Sequence, residues 1–303
     1  MSYLADTVDT SYVDVGSARF AYRRFGAGTD TSSSTATASE AASAAGSTTG
    51  QPPLVLLQRF RGTINHWDPA FLDALATQRE VIVFDNRGIG FTSGQTPTTF
   101  AEMAHDAAAF IDALGLAQVD LLGWSIGGFV AQLLTLQRPE LVRRLLVLGS
   151  GPGGSTGAPG PDDKVIEVMT HPESNDEDFL FLFFGLHDEG RRLGLESLRR
   201  LDTRLSASGV EVSQASWQAQ LQAIGHWSSA DEVTAWPHLS SIKVPVLVAN
   251  GAHDVMVHAQ QSYAMSQHLP DATVLLYSDA GHAFLFQRPQ EFAAVVLDFL
   301  AKE

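Results

Sequence analysis

Between residues 54 and 149 the chain repeats one pattern. Four short, nearly unbroken apolar runs, Leu54–Leu57, Val81–Phe84, Val119–Leu122 and Leu145–Gly149, alternate with stretches of helical spacing. A strand that is apolar on both faces must be covered on both faces, and a parallel sheet held between two helix layers does this. Strands joined by helices close as right-handed crossovers, so the pattern predicts an α/β fold with a doubly wound, mostly parallel sheet. Helices are expected around 69–77 and 100–114, with a third opening near Ile126. The rhythm returns with a strand over 244–250, a helix around 259–268, a strand over 273–277 and a helix over 289–301. Two short strands around the Gly16-Ser17 turn precede it all, within residues 12–25.

Two segments break the rhythm. Residues 29–52 are Ser, Thr and Ala with one charge after Asp30. Such a stretch buries too little apolar surface to offset its ordering entropy, and it reads as a flexible surface loop. Between Gly149 and Ser240 the strands stop, and "DKVIEVM", "DFLFLFF", "LGLESLRRLDTRL" and "VSQASWQAQLQAI" have helical patterns. The expected organisation is a core of residues 1–150 and 236–303, with 151–235 inserted as a helical cap above the strand ends. Open α/β sheets bind ligands at that edge.

A polar residue sits where strand 119–122 becomes a helix: Gly123-Trp124-Ser125-Ile126-Gly127. Flanking glycines let backbone segments approach where a Cβ would clash, and so hold a serine in a sharp turn with its hydroxyl above the sheet. The first amides of the next helix, Ile126 and Gly127, lack helical partners at the positive end of the dipole, which suits a developing oxyanion. A serine hydroxyl becomes a useful nucleophile only when a base takes its proton and an acid orients that base. Among ten histidines, His282 lies between strand 273–277 and the last helix, at the carboxyl edge of the sheet. Asp254 follows another strand at the same edge. Asp279, nearer in sequence, reads as shaping the histidine's loop.

Composition excludes other chemistries. The formal net charge of −15 opposes nucleic acid and anionic membrane surfaces. No cysteine is present, so disulfides, thiolate nucleophiles and Cys-ligated zinc are ruled out. No zinc spacing of histidines occurs, and no metal site is expected. Gly149 to Gly154 spell G-x-G-x-x-G, but loop rather than helix follows, so no dinucleotide site is expected. With no basic-then-apolar start and no spanning apolar run, a cytoplasmic location is the expectation.

The order Ser125, Asp254, His282, with "FDNRGIGFTSG" (84–94), "GAHD" and "AGH", resembles the α/β-hydrolase superfamily over nearly the whole chain. The resemblance implies hydrolysis of a small-molecule ester or lactone through an acyl-enzyme, without a cofactor. It also implies that Phe60 supplies the second oxyanion amide beside Ile126. The family usually carries His-Gly-x there, whereas this chain has Gln58-Arg59-Phe60-Arg61-Gly62. Arg59 and Arg61 are candidate contacts for an anionic substrate group. Trp124, Trp217 and Trp227 are candidate substrate contacts, and Trp217, Trp227, Phe179, Phe181, Phe183 and Phe184 either line an apolar pocket or pack the insertion's own core. C–C bond hydrolysis, perhydrolysis, lyase chemistry and non-catalytic ligand binding on the same fold stay open at this point.

Overall fold

The computed structural model describes residues 2–29, 50–185, 187–229 and 233–302. Most of the predicted 29–52 loop therefore lies outside the described residues.

Eight strands form one sheet. They are β1 (Ser11–Val15), β2 (Ala18–Gly26), β3 (Leu54–Leu57), β4 (Glu80–Phe84), β5 (Val119–Trp124), β6 (Val142–Leu148), β7 (Val246–Gly251) and β8 (Ala272–Tyr277). Their spatial order is β1-β2-β4-β3-β5-β6-β7-β8. The β1–β2 and β2–β4 pairs are antiparallel and all others parallel. Strands β3, β4, β5 and β7 are buried at every residue, as their unbroken apolar runs require. The edge strands β1 and β8 keep exposed positions.

Eleven helices accompany the sheet among the described residues. They are α1 (Leu4–Thr7), α2 (Pro69–Ala76), α3 (Phe100–Ala113), α4 (Ile126–Gln137), α5 (Asp163–Met169), α6 (Asp176–Phe183), α7 (Asp188–Ser208), α8 (Gln214–Ser228), α9 (Gln260–Ser266), α10 (Phe284–Gln287) and α11 (Pro289–Ala301). Alternate residues of β3 show the double winding. Leu54 and Leu56 face a core containing Phe71 of α2 and Phe292 of α11. Val55 and Leu57 face one containing Phe110 of α3 and Val130 of α4. Rings lock each layer: Phe71 stacks on Phe292 at 6.0 Å and Phe84 on Phe110 at 4.3 Å between centroids.

Asp120, a charge within the predicted strand 119–122, is fully buried. Arg79 and Arg143 both pair with it, which offsets the desolvation of the carboxylate.

Helices α5 to α8 lie between β6 and β7 and are fastened to the sheet layers by buried polar contacts. Ser197 Oγ and Arg200 Nη2 of α7 both donate to Asp68 Oδ2 at 2.7 Å, and Arg204 Nη2 donates to Val8 O at 2.8 Å. Ser216 Oγ of α8 donates to Gly88 O at 2.7 Å. The short α1 and α10 escape the sequence patterns because helices of four residues show no periodicity.

Parallel registers decide where the loops meet. Leu57 pairs with Gly123, Trp124 with Leu148 and Gly251 with Tyr277, so β3, β5, β6, β7 and β8 end at one edge. Gln58, Ser125, Gly149, Asp254 and His282 follow those ends.

Candidate active site

Ser125 sits at φ 58°, ψ −125°, a left-handed conformation that side chains other than glycine rarely adopt. Close backbone approach imposes it. A Cβ on Gly123 would overlap the Gly127 carbonyl, and one on Gly127 would overlap the Leu57 carbonyl. Ser125 N donates to Leu148 O at 2.9 Å, and Ser150 Oγ donates to Ser125 O at 2.8 Å, fixing the turn from β6. The glycines of the pentapeptide therefore bring β3, β5 and α4 into contact at the serine.

Asp254 and His282 meet at the same sheet edge. Asp254 Oδ2 lies 2.6 Å from His282 Nδ1, and neither side chain is exposed. Asp254 Oδ1 accepts from the Met256 and Val257 amides at 2.9 Å each, so the carboxylate cannot rotate away from the imidazole. Trp124 Nε1 donates to His282 O at 3.1 Å, and the Trp124 and Phe183 rings pack against the imidazole. His282 Nε2 is buried without a hydrogen-bond partner among the described residues. Protein catalytic contacts are often long before substrate arrives. Asp279 is directed elsewhere, to a surface pair with Arg288.

The loop after β3 carries the departure from His-Gly-x. Gln58 Nε2 donates to Thr63 O at 3.0 Å and its Oε1 accepts the Arg59 amide at 2.8 Å, bracing the loop from within. In this loop Arg61, with φ 54°, takes the left-handed conformation. Gln220 of α8 accepts the Arg61 amide at 3.0 Å and holds that conformation. Among the described residues the Phe60 and Ile126 amides meet no protein acceptor, and Phe60 and Ser125 border the same cavity.

That cavity, about 590 Å³, lies between this loop and the inserted helices. Arg59, Phe60, Arg61, His66, Ser125 and Phe179 are among its walls, with Leu182, Phe183, Leu198 and Met256 supplying apolar surface. Arg59 is 7% exposed, and burial, then the charge of Arg61, lowers its pKa to about 9. Arg61 binds the carbonyls of His171 and Pro172 at 2.6 and 3.0 Å. Burial, then Arg59 and Arg61, holds His66 well below the usual histidine range. Its Nδ1 accepts the Thr63 amide at 3.0 Å, so the neutral ring carries its proton on Nε2.

None of the three tryptophans borders the cavity. Trp124 lies beneath His282 in the core, Trp217 stacks on the Arg61 guanidinium at 5.2 Å, and Trp227 packs on Phe129 at 5.1 Å. The Gly149–Gly154 segment likewise leads into loop; the next helix begins at Asp163.

Residues 52–289 match the family described as the alpha/beta hydrolase fold. The chain belongs to the α/β-hydrolase family. An alpha/beta hydrolase fold protein from Chitinophaga pinensis superposes with a TM-score of 0.83 at 33% identity, covering 99% of each chain. The protein named "Putative non-heme bromoperoxidase BpoC" of Mycobacterium tuberculosis is 28% identical over 263 residues, 82% of this chain and 94% of its own. The enol-lactonase of Burkholderia xenovorans shares the fold, with a TM-score of 0.72 at 20% identity over 96% and 100% of the two chains.

For an α/β-hydrolase, this one places Ser125, Asp254 and His282 in that chain order in the loops after β5, β7 and β8. It replaces the histidine that usually follows the third strand of the sheet by Gln58. His66 and Gln220 escaped sequence reasoning. The only local signal was Thr63-x-x-His66, a helix-start pattern that the structure realises as a reciprocal cap.

Proposed function

We propose that this α/β-hydrolase is a serine hydrolase that cleaves a carboxylic ester or lactone through an acyl-enzyme at Ser125. The observation that carries the reading is the buried Asp254–His282 pair at 2.6 Å, at the same sheet edge as a serine held in a left-handed turn. In this mechanism Ser125 Oγ attacks the carbonyl carbon while His282 Nε2 takes its proton. Asp254 holds Nδ1–H and stabilises the imidazolium. The Phe60 and Ile126 amides bind the oxyanion. His282 then protonates the leaving oxygen, the C–O bond breaks, and the alcohol departs or, in a lactone, stays tethered. A water deprotonated by His282 releases the acid and restores Ser125. Helices α5 to α8 act as a cap that shields these steps from bulk water.

Fluorophosphonate labelling tests the assignment. Wild-type protein should be labelled at Ser125, and Ser125→Ala should be neither labelled nor active on benzyl and phenyl esters. An unlabelled wild type would make the cavity a ligand-binding site without acyl chemistry.

A further inference from the structure

Arg59 is a buried cation without a counter-charge. Among the described residues its guanidinium joins no ion pair. Nη1 donates to the neighbouring Phe60 O at 2.7 Å, while Nε is buried without an acceptor. Nη2 has no protein acceptor either, yet it is not sealed off, because Arg59 borders the cavity that contains Ser125. The guanidinium lies over the Phe183 ring at 4.6 Å, with Trp124 at 5.8 Å and Phe179 at 5.9 Å. Such ring contacts offset only part of the cost of taking an ion out of water. Several other buried charges are paired: Asp68 with Arg200, Glu80 with Arg24, Asp120 with Arg79 and Arg143. Among the described residues Arg23, Arg144 and Asp85 are buried without an ion pair, but they do not border the Ser125 cavity. The rings fix where the Arg59 cation points without neutralising it.

A second donor faces the same space. With His66 Nδ1 occupied by the Thr63 amide, Nε2–H is left on the cavity side without a protein acceptor. Arg59 and His66 thus offer this cavity a cation and a neutral N–H. The cavity's carboxylates are on the insertion: Glu173, Asp176 and Glu211 are exposed, and Asp178 is taken by His171 at 3.0 Å.

We propose that the site selects esters or lactones bearing a second, anionic group, a carboxylate, held by Arg59 Nη2 with His66 Nε2–H. The identity of the reacting group rests on the hydrolase reading above; the anion site does not. Arg59 Nη1 donates to Phe60 O, and Arg59, Phe60 and Ser125 border one cavity, so a single substrate can present its carboxylate to Arg59 and its carbonyl to Ser125. The apolar walls of Phe179, Leu182 and Phe183 take the remainder of the molecule.

Monobenzyl succinate and benzyl butanoate differ in one carboxylate against a methyl group and make the comparison. Binding of both to Ser125→Ala, measured by calorimetry, tests the anion site whether or not the wild type turns over. The succinate should bind about tenfold or more tightly, the size of one charged hydrogen bond. Adding Arg59→Met should erase that preference, and Arg59→Lys should restore part of it. In the catalytically intact protein the ratio of kcat/KM for succinate over butanoate should fall by a similar factor in Arg59→Met. Equal binding of the two esters, absence of binding by either, or a preference that survives Arg59→Met would overturn the proposal. A hydrolase reading that fails while the preference holds would leave the carboxylate site intact and remove only the chemistry.

Discussion

Asp254 Oδ2 and His282 Nδ1 are 2.6 Å apart with neither side chain exposed, and the two residues come from loops after adjacent strands. The other Asp254 oxygen is held by two backbone amides. This arrangement fixes the imidazole's tautomer. Asp254→Asn should therefore lower kcat by about 10⁴, the loss found when a triad carboxylate becomes an amide. Asp279→Asn, at an exposed pair with Arg288, should stay near wild type. Steady-state rates of the two variants decide between them, and the reverse order would show that the wrong carboxylate is assigned.

Gln58 braces the loop whose Phe60 amide is assigned to the oxyanion, through Thr63 O and the Arg59 amide. Gln58→Ala should let that amide drift and reduce kcat by up to about 10², with a smaller change in KM, since small misplacements are felt most in the transition state. An unchanged kcat would separate Gln58 from catalysis.

Gly127 packs its Cα side against the Leu57 carbonyl, where a Cβ would overlap the backbone of β3. Backbone cannot step aside as a flexible side chain can. Gly127→Ala should cost about 1–3 kcal/mol of stability and much of the activity by parting β3 from α4. Denaturant midpoints and ester rates measure both effects; a variant as stable and active as wild type would refute the tight contact.

Arg200 neutralises Asp68, whose side chain is inaccessible. Removing it in Arg200→Ala leaves a buried carboxylate facing only Ser197 and the Ala70 amide, which should cost about 3–5 kcal/mol. The same change removes one of the contacts that fasten α7 to the body, leaving those of Ser197 and Arg204, so hydrogen exchange should quicken in α7 before it does in β5. Uniform exchange across both would argue against this latch.

Asp85 is buried beneath the "FDNRGIG" turn, and desolvation raises its pKa to about 7 despite bonds from the Phe91 and Ile64 amides. Between the ordinary carboxylate value and about 7, the folded chain keeps a proton that the unfolded chain releases. Stability from this group is present at acid pH and is lost as pH rises through that window. Thermal midpoints should show this fall in wild type and a flatter profile in Asp85→Asn. Parallel profiles would show that Asp85 ionises normally.

The sequence by itself determined the architecture and the order of the chemistry. Unbroken Val, Leu and Ile runs allow only strands covered on both faces, and β3, β4, β5 and β7 are so covered. Gly123 and Gly127 are legible because a Cβ at either would strike backbone, a constraint local enough to leave a mark in five residues. The positions of Ser125, Asp254 and His282 after strand ends follow from the same alternation.

Tertiary structure alone decided what each polar or aromatic side chain meets. Trp124, Trp217 and Trp227 read alike as large rings near the site, yet one supports His282, one holds Arg61 and one packs on Phe129. Arg59 and Arg61 are separated by one residue, but the second is satisfied by carbonyls of 171 and 172 while the first stays without a counter-charge at the cavity that Ser125 borders. Periodicity reports which face of an element is buried, because burial repeats along the chain. Partnership across a hundred residues, such as Arg61 with Gln220, has no period; it exists only once the sheet has brought the loops to one edge.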